Sequence, residues 1–122
     1  MKLNYNIKGT GLAVSDEIRT YVEKRLAHVD KFVGGDPSAH LDVELQFQTS
    51  EDTQRYRAEY TLSASGYVFR AEAQGDSLNE AIDLADAELS REVSRAKERK
   101  EHSERRGASR FKDFIRGFGR RR

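Results

Sequence analysis

Arg91, Arg95 and Arg99 recur at four-residue steps, with Lys97 and Lys100 beside them. On a helix that spacing aligns the three guanidinium groups in one stripe. A second basic cluster lies upstream, at Arg19, Lys24, Arg25 and Lys31. The chemistry open to such groups is phosphate binding. A cationic face beside helices suits structured RNA, whose wide minor groove is read by shape and backbone. Each cluster also has a plainer reading. Glu88, Glu92 and Glu98 can pair with the arginine stripe on a solvated helix face. Arg25 lies four residues after Tyr21 and four before Val29, inside an apolar stripe. Its stem can pack there while its head reaches water, or it can serve binding.

Nothing comparable assembles for catalysis. His28, His40 and His102 fall one to an element, with no ligand partner at metal-site spacing. His28 and His40 read as solvated side chains. The absence of cysteine excludes a disulfide framework, a thiolate metal site and a thiol nucleophile. No P-loop, G-x-G-x-x-G or G-x-S-x-G occurs. Gly9-Thr10-Gly11 reads as a strand terminator. The carboxylates sit at helical or strand spacing, as on solvated faces, and not as an acid/base pair. We therefore expect no enzyme, no metal and no cofactor.

A chain of 122 residues fits one domain. Apolar residues make up 36% and charged ones 35%, against the usual ~45–50% and ~25%. A small domain with a high surface-to-volume ratio accommodates that polar load. The net charge of +1 averages two unlike parts. Residues 1–90 hold nine basic and sixteen acidic side chains, a net −7, whereas residues 91–122 hold thirteen and five, a net +8. That asymmetry suggests an electrostatic partner for the second part. No apolar run reaches the ~18 residues of a membrane span, and the start has no apolar signal-peptide core. A cytoplasmic protein is expected.

Hydrophobic periodicity supplies the elements that position these groups. Leu3, Tyr5 and Ile7 alternate with polar residues and predict a strand. Ser15 before Asp16 and Glu17 predicts a helix N-cap. Ile18, Tyr21, Val22, Leu26, Val29 and Phe32 carry the helix from about Asp16 to Phe32, and Gly34-Gly35-Asp36-Pro37 stops it. Alternation predicts three more strands, at Leu41–Phe47, Tyr56–Ala64 and Val68–Ala73. Ser65-Gly66 marks a hairpin turn between the last two. Ser77-Leu78-Asn79-Glu80 is a capping box, opening a second helix to about Glu101 on Leu78, Ala81, Ile82, Ala85, Leu89, Val93 and Ala96. The expected fold is α+β: a β-α-β-β-β-α two-layer sandwich, four strands with both helices on one face. Strands one and two should be parallel and the rest hairpins. Packed together, the helices can bring both basic clusters onto one face.

Several fragments, taken in order, resemble the ribosome hibernation promoting factor family, which includes the ribosome-associated translation inhibitors. They are Val14-Ser15-Asp16-Glu17-Ile18-Arg19, Val22-Glu23-Lys24-Arg25-Leu26, and Ala71-Glu72-Ala73-Gln74-Gly75-Asp76 running into Ala81-Ile82-Asp83. The resemblance covers residues 1–101, expected to be the ribosome-binding domain. It implies a fold similar to double-stranded RNA-binding domains. It also implies a stress or stationary-phase factor seated in the small-subunit channel for messenger and transfer RNA, silencing translation without chemistry. The partner implied is the small ribosomal subunit and its RNA, with the protein a monomer off the ribosome. Carried over by position, the RNA contacts are Arg19, Lys24, Arg25, Lys31, Arg91, Arg95, Lys97 and Arg99, and Lys100 extends the set. Glu88 and His28 stand where the family often has lysine, which would shift the footprint toward the end of the second helix.

Residues 102–122 lie outside the resemblance. Phe111, Phe114, Ile115 and Phe118 follow i, i+3, i+4, i+7 spacing, with Arg110, Lys112 and Arg116 between them. Gly117 and Gly119 weaken this short amphipathic helix. Arg110, Phe111, Phe114 and Phe118 could extend the ribosome footprint by phosphate contacts and stacking. The same segment could dock in a partner's groove, lie on an anionic membrane surface, or have no specific role. The alternative function is a regulatory module docking a protein partner through this tail.

Overall fold

The computed structural model describes residues 3–49 and 54–104. The elements run β1 (Asn4–Thr10), α1 (Asp16–Val33), β2 (His40–Thr49), β3 (Gln54–Ala64), β4 (Tyr67–Gly75) and α2 (Leu78–Glu104). This is the α+β order expected from the sequence. The sheet order is β1-β2-β3-β4. β1 and β2 are parallel, and the two remaining pairings are antiparallel. Alternation puts Leu41, Val43, Leu45, Ala58, Tyr60, Leu62, Phe69 and Ala71 inward, where they meet Val22, Leu26, Val29 and Val33 of α1 and Ile82, Ala85, Leu89 and Val93 of α2. Asp42, Glu44 and Glu59 lie on the opposite face of the sheet, around a cleft of about 300 Å³.

Local chemistry sets the element ends. The Ser15 hydroxyl accepts a hydrogen bond from the Ile18 N–H at 3.1 Å, and Gly34 closes α1 in the left-handed region. Ser65 and Gly66 take φ of 53° and 82°, as a two-residue hairpin turn of the mirror-image type requires. Two expectations need refinement. β1 does end within Gly9-Thr10-Gly11, at Thr10, but Gly9 and Thr10 still belong to the strand. Both pair with β2, opposite Leu45 and Gln46, and the chain turns only at Gly11, at φ 74°. The capping box is also shifted. The Glu80 N–H donates to the Ser77 hydroxyl at 3.1 Å, but the Glu80 carboxylate accepts from the Asp76 N–H at 2.7 Å, one residue before the cap. Gly75 explains the tight corner, since a Cβ there would stand 2.9 Å from the Ala81 backbone nitrogen and from the Glu80 Cβ.

One core group is poorly served. Tyr60 is fully buried, and its hydroxyl has no hydrogen-bond partner among the described residues. Burial pushes its phenol far above the usual tyrosine range. An unpaired buried hydroxyl costs free energy that a ring without it avoids. Tyr60→Phe is therefore expected to leave stability unchanged or raise it by about 1 kcal/mol. Thermal unfolding checks this, and a clear loss of stability would show that the hydroxyl is satisfied.

Candidate nucleic-acid interface

The two helices meet along a polar seam. Arg25 Nε donates to Asp83 Oδ1 at 2.6 Å, and His28 Nε2 lies 2.7 Å from Asp86 Oδ2. Both contacts join residues 58 apart in sequence. Three residues further along α1 is thus three residues further along α2, so the helices run parallel and in step. The Tyr21 hydroxyl donates to the Asp83 carboxylate at 2.9 Å. The Arg25 guanidinium lies 3.5 Å from the centre of the Tyr21 ring, a cation–π contact. Burial, then the bond to Asp83, raises the Tyr21 phenol above its ordinary range. Ser90 Oγ lies 3.5 Å from His28 Nδ1 and donates to the Asp86 carbonyl. His28 also sets its ring edge-on to Phe32.

His28 is therefore not a solvated histidine. It is half-buried between the helices because Asp86 and Phe32 hold it there. Arg25 is tied in the same way, its side chain 31% exposed. Sequence reading treated these two residues singly. The signal available was a matched spacing: an arginine and a histidine at i and i+3 on one helix and carboxylates at i and i+3 on the other, each beside an apolar stripe.

The other predicted cations sit outside the seam. Asp83, Asp86 and Ser90 face α1, while Leu89, Val93 and Ala96 face the sheet. By helical geometry the stripe of Arg91, Arg95 and Arg99 then occupies the flank of α2 turned away from α1. All three are exposed. Lys24 and Lys31 are exposed and point outward from α1, opposite its buried stripe. Arg19 is exposed on the flank of α1 away from α2. The side chains of Lys97 and Lys100, and the tail positions Arg110, Phe111, Phe114 and Phe118, lie outside the described residues.

Two of the arginines meet glutamates one turn back on their own helix. Arg91 pairs with Glu88, and Arg95 Nη1 lies 2.6 Å from Glu92 Oε2. The hydrogen bond from Arg91 holds the Glu88 carboxyl below the usual range. Pairs this exposed contribute little to stability. A phosphate offering a charge-assisted, bidentate contact can displace them at small cost.

Parallel helices also sort charge along the molecule. Asp16 and Glu17 open α1 and Glu80 opens α2, so both acidic first turns lie at one end. Lys31 closes α1. By the offset of 58, Val33 at the end of α1 stands level with Arg91. Beyond that level α2 runs on to Glu104, about 20 Å at the helical rise, with Val93 and Ala96 still buried against the sheet. The cationic flank thus extends past the end of α1, away from the acidic end. No helix among the described residues is long and apolar enough to cross a membrane.

Known proteins share this architecture. Residues 5–101 match the sequence pattern of a family described as Sigma 54 modulation protein / S30EA ribosomal protein. The chain is 30% identical over 97 residues to a ribosome hibernation promotion factor of Lactococcus lactis, covering 80% of this chain and 51% of that one. It is 25% identical over 95 residues to the Bacillus subtilis protein of the same name, covering 78% and 49%. The chain therefore spans about half the length of these relatives. The crystal structure of the N-terminal domain of Thermus thermophilus Protein Y superposes with a TM-score of 0.58 at 29% identity, over 78% of this chain and 98% of that one.

Proposed function

The chain belongs to the Sigma 54 modulation protein / S30EA ribosomal protein family, and from that premise we propose that it is a ribosome hibernation factor. It acts in the cytoplasm, under stress or in stationary phase. It binds the small subunit in the channel that otherwise holds messenger and transfer RNA, and it silences translation by occupying that space. The contacts are to phosphate. Arg91, Arg95 and Arg99 supply the principal stripe, and Lys24 and Lys31 add contacts from α1, whereas Arg19, next to Asp16 and Glu17 on the opposite flank, lies away from the footprint. Arg25 acts mainly by fixing α2 against α1. Glu88 and His28 carry no free positive charge toward RNA, which moves the footprint toward the far end of α2.

The observation supporting this most directly is the exposed flank of α2 turned away from α1. It presents exposed guanidinium groups at helical spacing, restrained by weak pairs that phosphate can replace. The −7 of residues 1–90 then orients the protein, since only one end can approach a polyanion without repulsion. Co-sedimentation of the purified chain with small subunits across a salt series tests the proposal. Association should weaken steeply, with a slope of log affinity on log salt of about −3 to −5 for five or so phosphates. Absence of association at low salt would refute it.

A further inference from the structure

The four-stranded sheet has two outer edges, and they are not equivalent. β1 is flanked by α1: the Leu3 N–H donates to Asp30 at 2.9 Å, and the Tyr5 hydroxyl donates to Glu23 at 2.6 Å. Beyond β4 no strand pairs among the described residues. β4 runs nine residues without proline or bulge, the kind of edge that proteins normally shield.

The hairpin decides which groups that edge offers. A two-residue turn makes Ala64 and Tyr67 a hydrogen-bonded pair. Alternation then turns the N–H and C=O of Phe69, Ala71 and Ala73 toward β3. Those of Val68, Arg70, Glu72 and Gln74 point outward. The side chains of these four residues are all exposed on the open face of the sheet, and Val68, at 58%, is one of two large exposed apolar residues among those described.

We propose that the β4 edge joins two copies of this chain by antiparallel pairing about a twofold axis at Ala71. Charge selects the register. An axis at Arg70 would set Arg70 against its own copy, and an axis at Glu72 would set Glu72 against its own. An axis at Ala71 sets Arg70 opposite the second copy's Glu72, twice, and Val68 opposite Gln74, twice. All of these residues carry outward backbone groups, so the same register satisfies the hydrogen bonds. Opposite charges directly across a strand pair attract, and like charges repel. Edge charges of one sign would have guarded β4 against a second copy. One of each sign, two residues apart, makes the edge complementary to itself, with Glu72 shared between Arg57 of its own chain and the second copy's Arg70. β1 has no equivalent, since it carries Lys8 and no carboxylate. The product is a continuous eight-stranded sheet with isologous symmetry. The monomer expected off the ribosome is then the dilute form.

Analytical ultracentrifugation of the full chain, without ribosomes, tests this separately from ribosome binding. A concentration-dependent dimer is expected. R70E and E72R should each weaken it by about tenfold or more, and the double variant R70E/E72R should restore it to within about threefold, because the swap rebuilds both cross-strand pairs. Circular dichroism reports whether each variant is folded. Amide hydrogen exchange on the unmodified chain adds a measurement that needs no variant. The N–H groups of Val68, Arg70, Glu72 and Gln74 should be slowed at high protein concentration and not at low. A monomer at every concentration, a double variant as weak as the single ones, or outward β4 amides indifferent to concentration would each overturn the proposal.

Discussion

Reversing Arg91 and Arg95 together to glutamate is expected to lower small-subunit affinity about 100-fold at low salt, on the order of 2.7 kcal/mol. Both side chains are exposed on the outer flank of α2, so two phosphate contacts disappear and two repulsions replace them. The salt slope should shrink by about two, one contact for each arginine. The fold should barely respond. The pairs to Glu88 and Glu92 become like-charge pairs one turn apart, which on an exposed helix face costs little. Affinity and stability therefore separate in this variant, and sedimentation alongside chemical denaturation reads both. Unchanged binding would remove Arg91 and Arg95 from the interface while leaving the ribosome reading itself open to the salt series. Arg25→Gln offers the contrast. It breaks the link to Asp83 across the seam, so its effect should appear in stability as well as in binding.

The largest effect on the fold is expected from Leu89→Ala, at about 3 kcal/mol of lost stability. Leu89 is fully buried between α2 and the sheet. Alanine is the better helix former of the two, so the loss arises from vacated core volume and not from the helix. For a domain whose total stability is about 5–15 kcal/mol, this is a large fraction, and the melting temperature should fall by roughly 10 °C or more. Leu84→Ala, five residues earlier on the same helix, supplies the control. Leu84 is 47% exposed, and its truncation should stay within about 0.5 kcal/mol. Thermal and urea unfolding of the two variants check the pair. Equal losses would mean that α2 is rotated from the orientation described.

The contrast between Leu89 and Leu84 also marks how far the sequence reaches. Its periodicity determined that α2 is a helix and that Leu89 faces inward, because burial of an apolar stripe repeats every turn and is written in neighbouring residues. Ser15, Gly34 and Ser65-Gly66 were legible for the same reason: caps and turns are satisfied within a few residues of chain. Order and spacing also carried the fold class and the family. The seam was not legible. Arg25 with Asp83, and His28 with Asp86, are joined across 58 residues, and their meeting depends on how the helices settle on the sheet. The same packing assigned the basic residues to their sides, with Arg25 and His28 turned inward and Arg91, Arg95 and Arg99 turned out. A helical wheel shows which residues share a face but not which neighbour that face meets. The outward parity of β4 likewise follows only once Ala64 is paired with Tyr67. Short-range preferences thus fix the elements and their polar and apolar faces. Which charges are held by partners and which stay exposed was decided by the register between elements distant in the chain, through packing that no local pattern encodes.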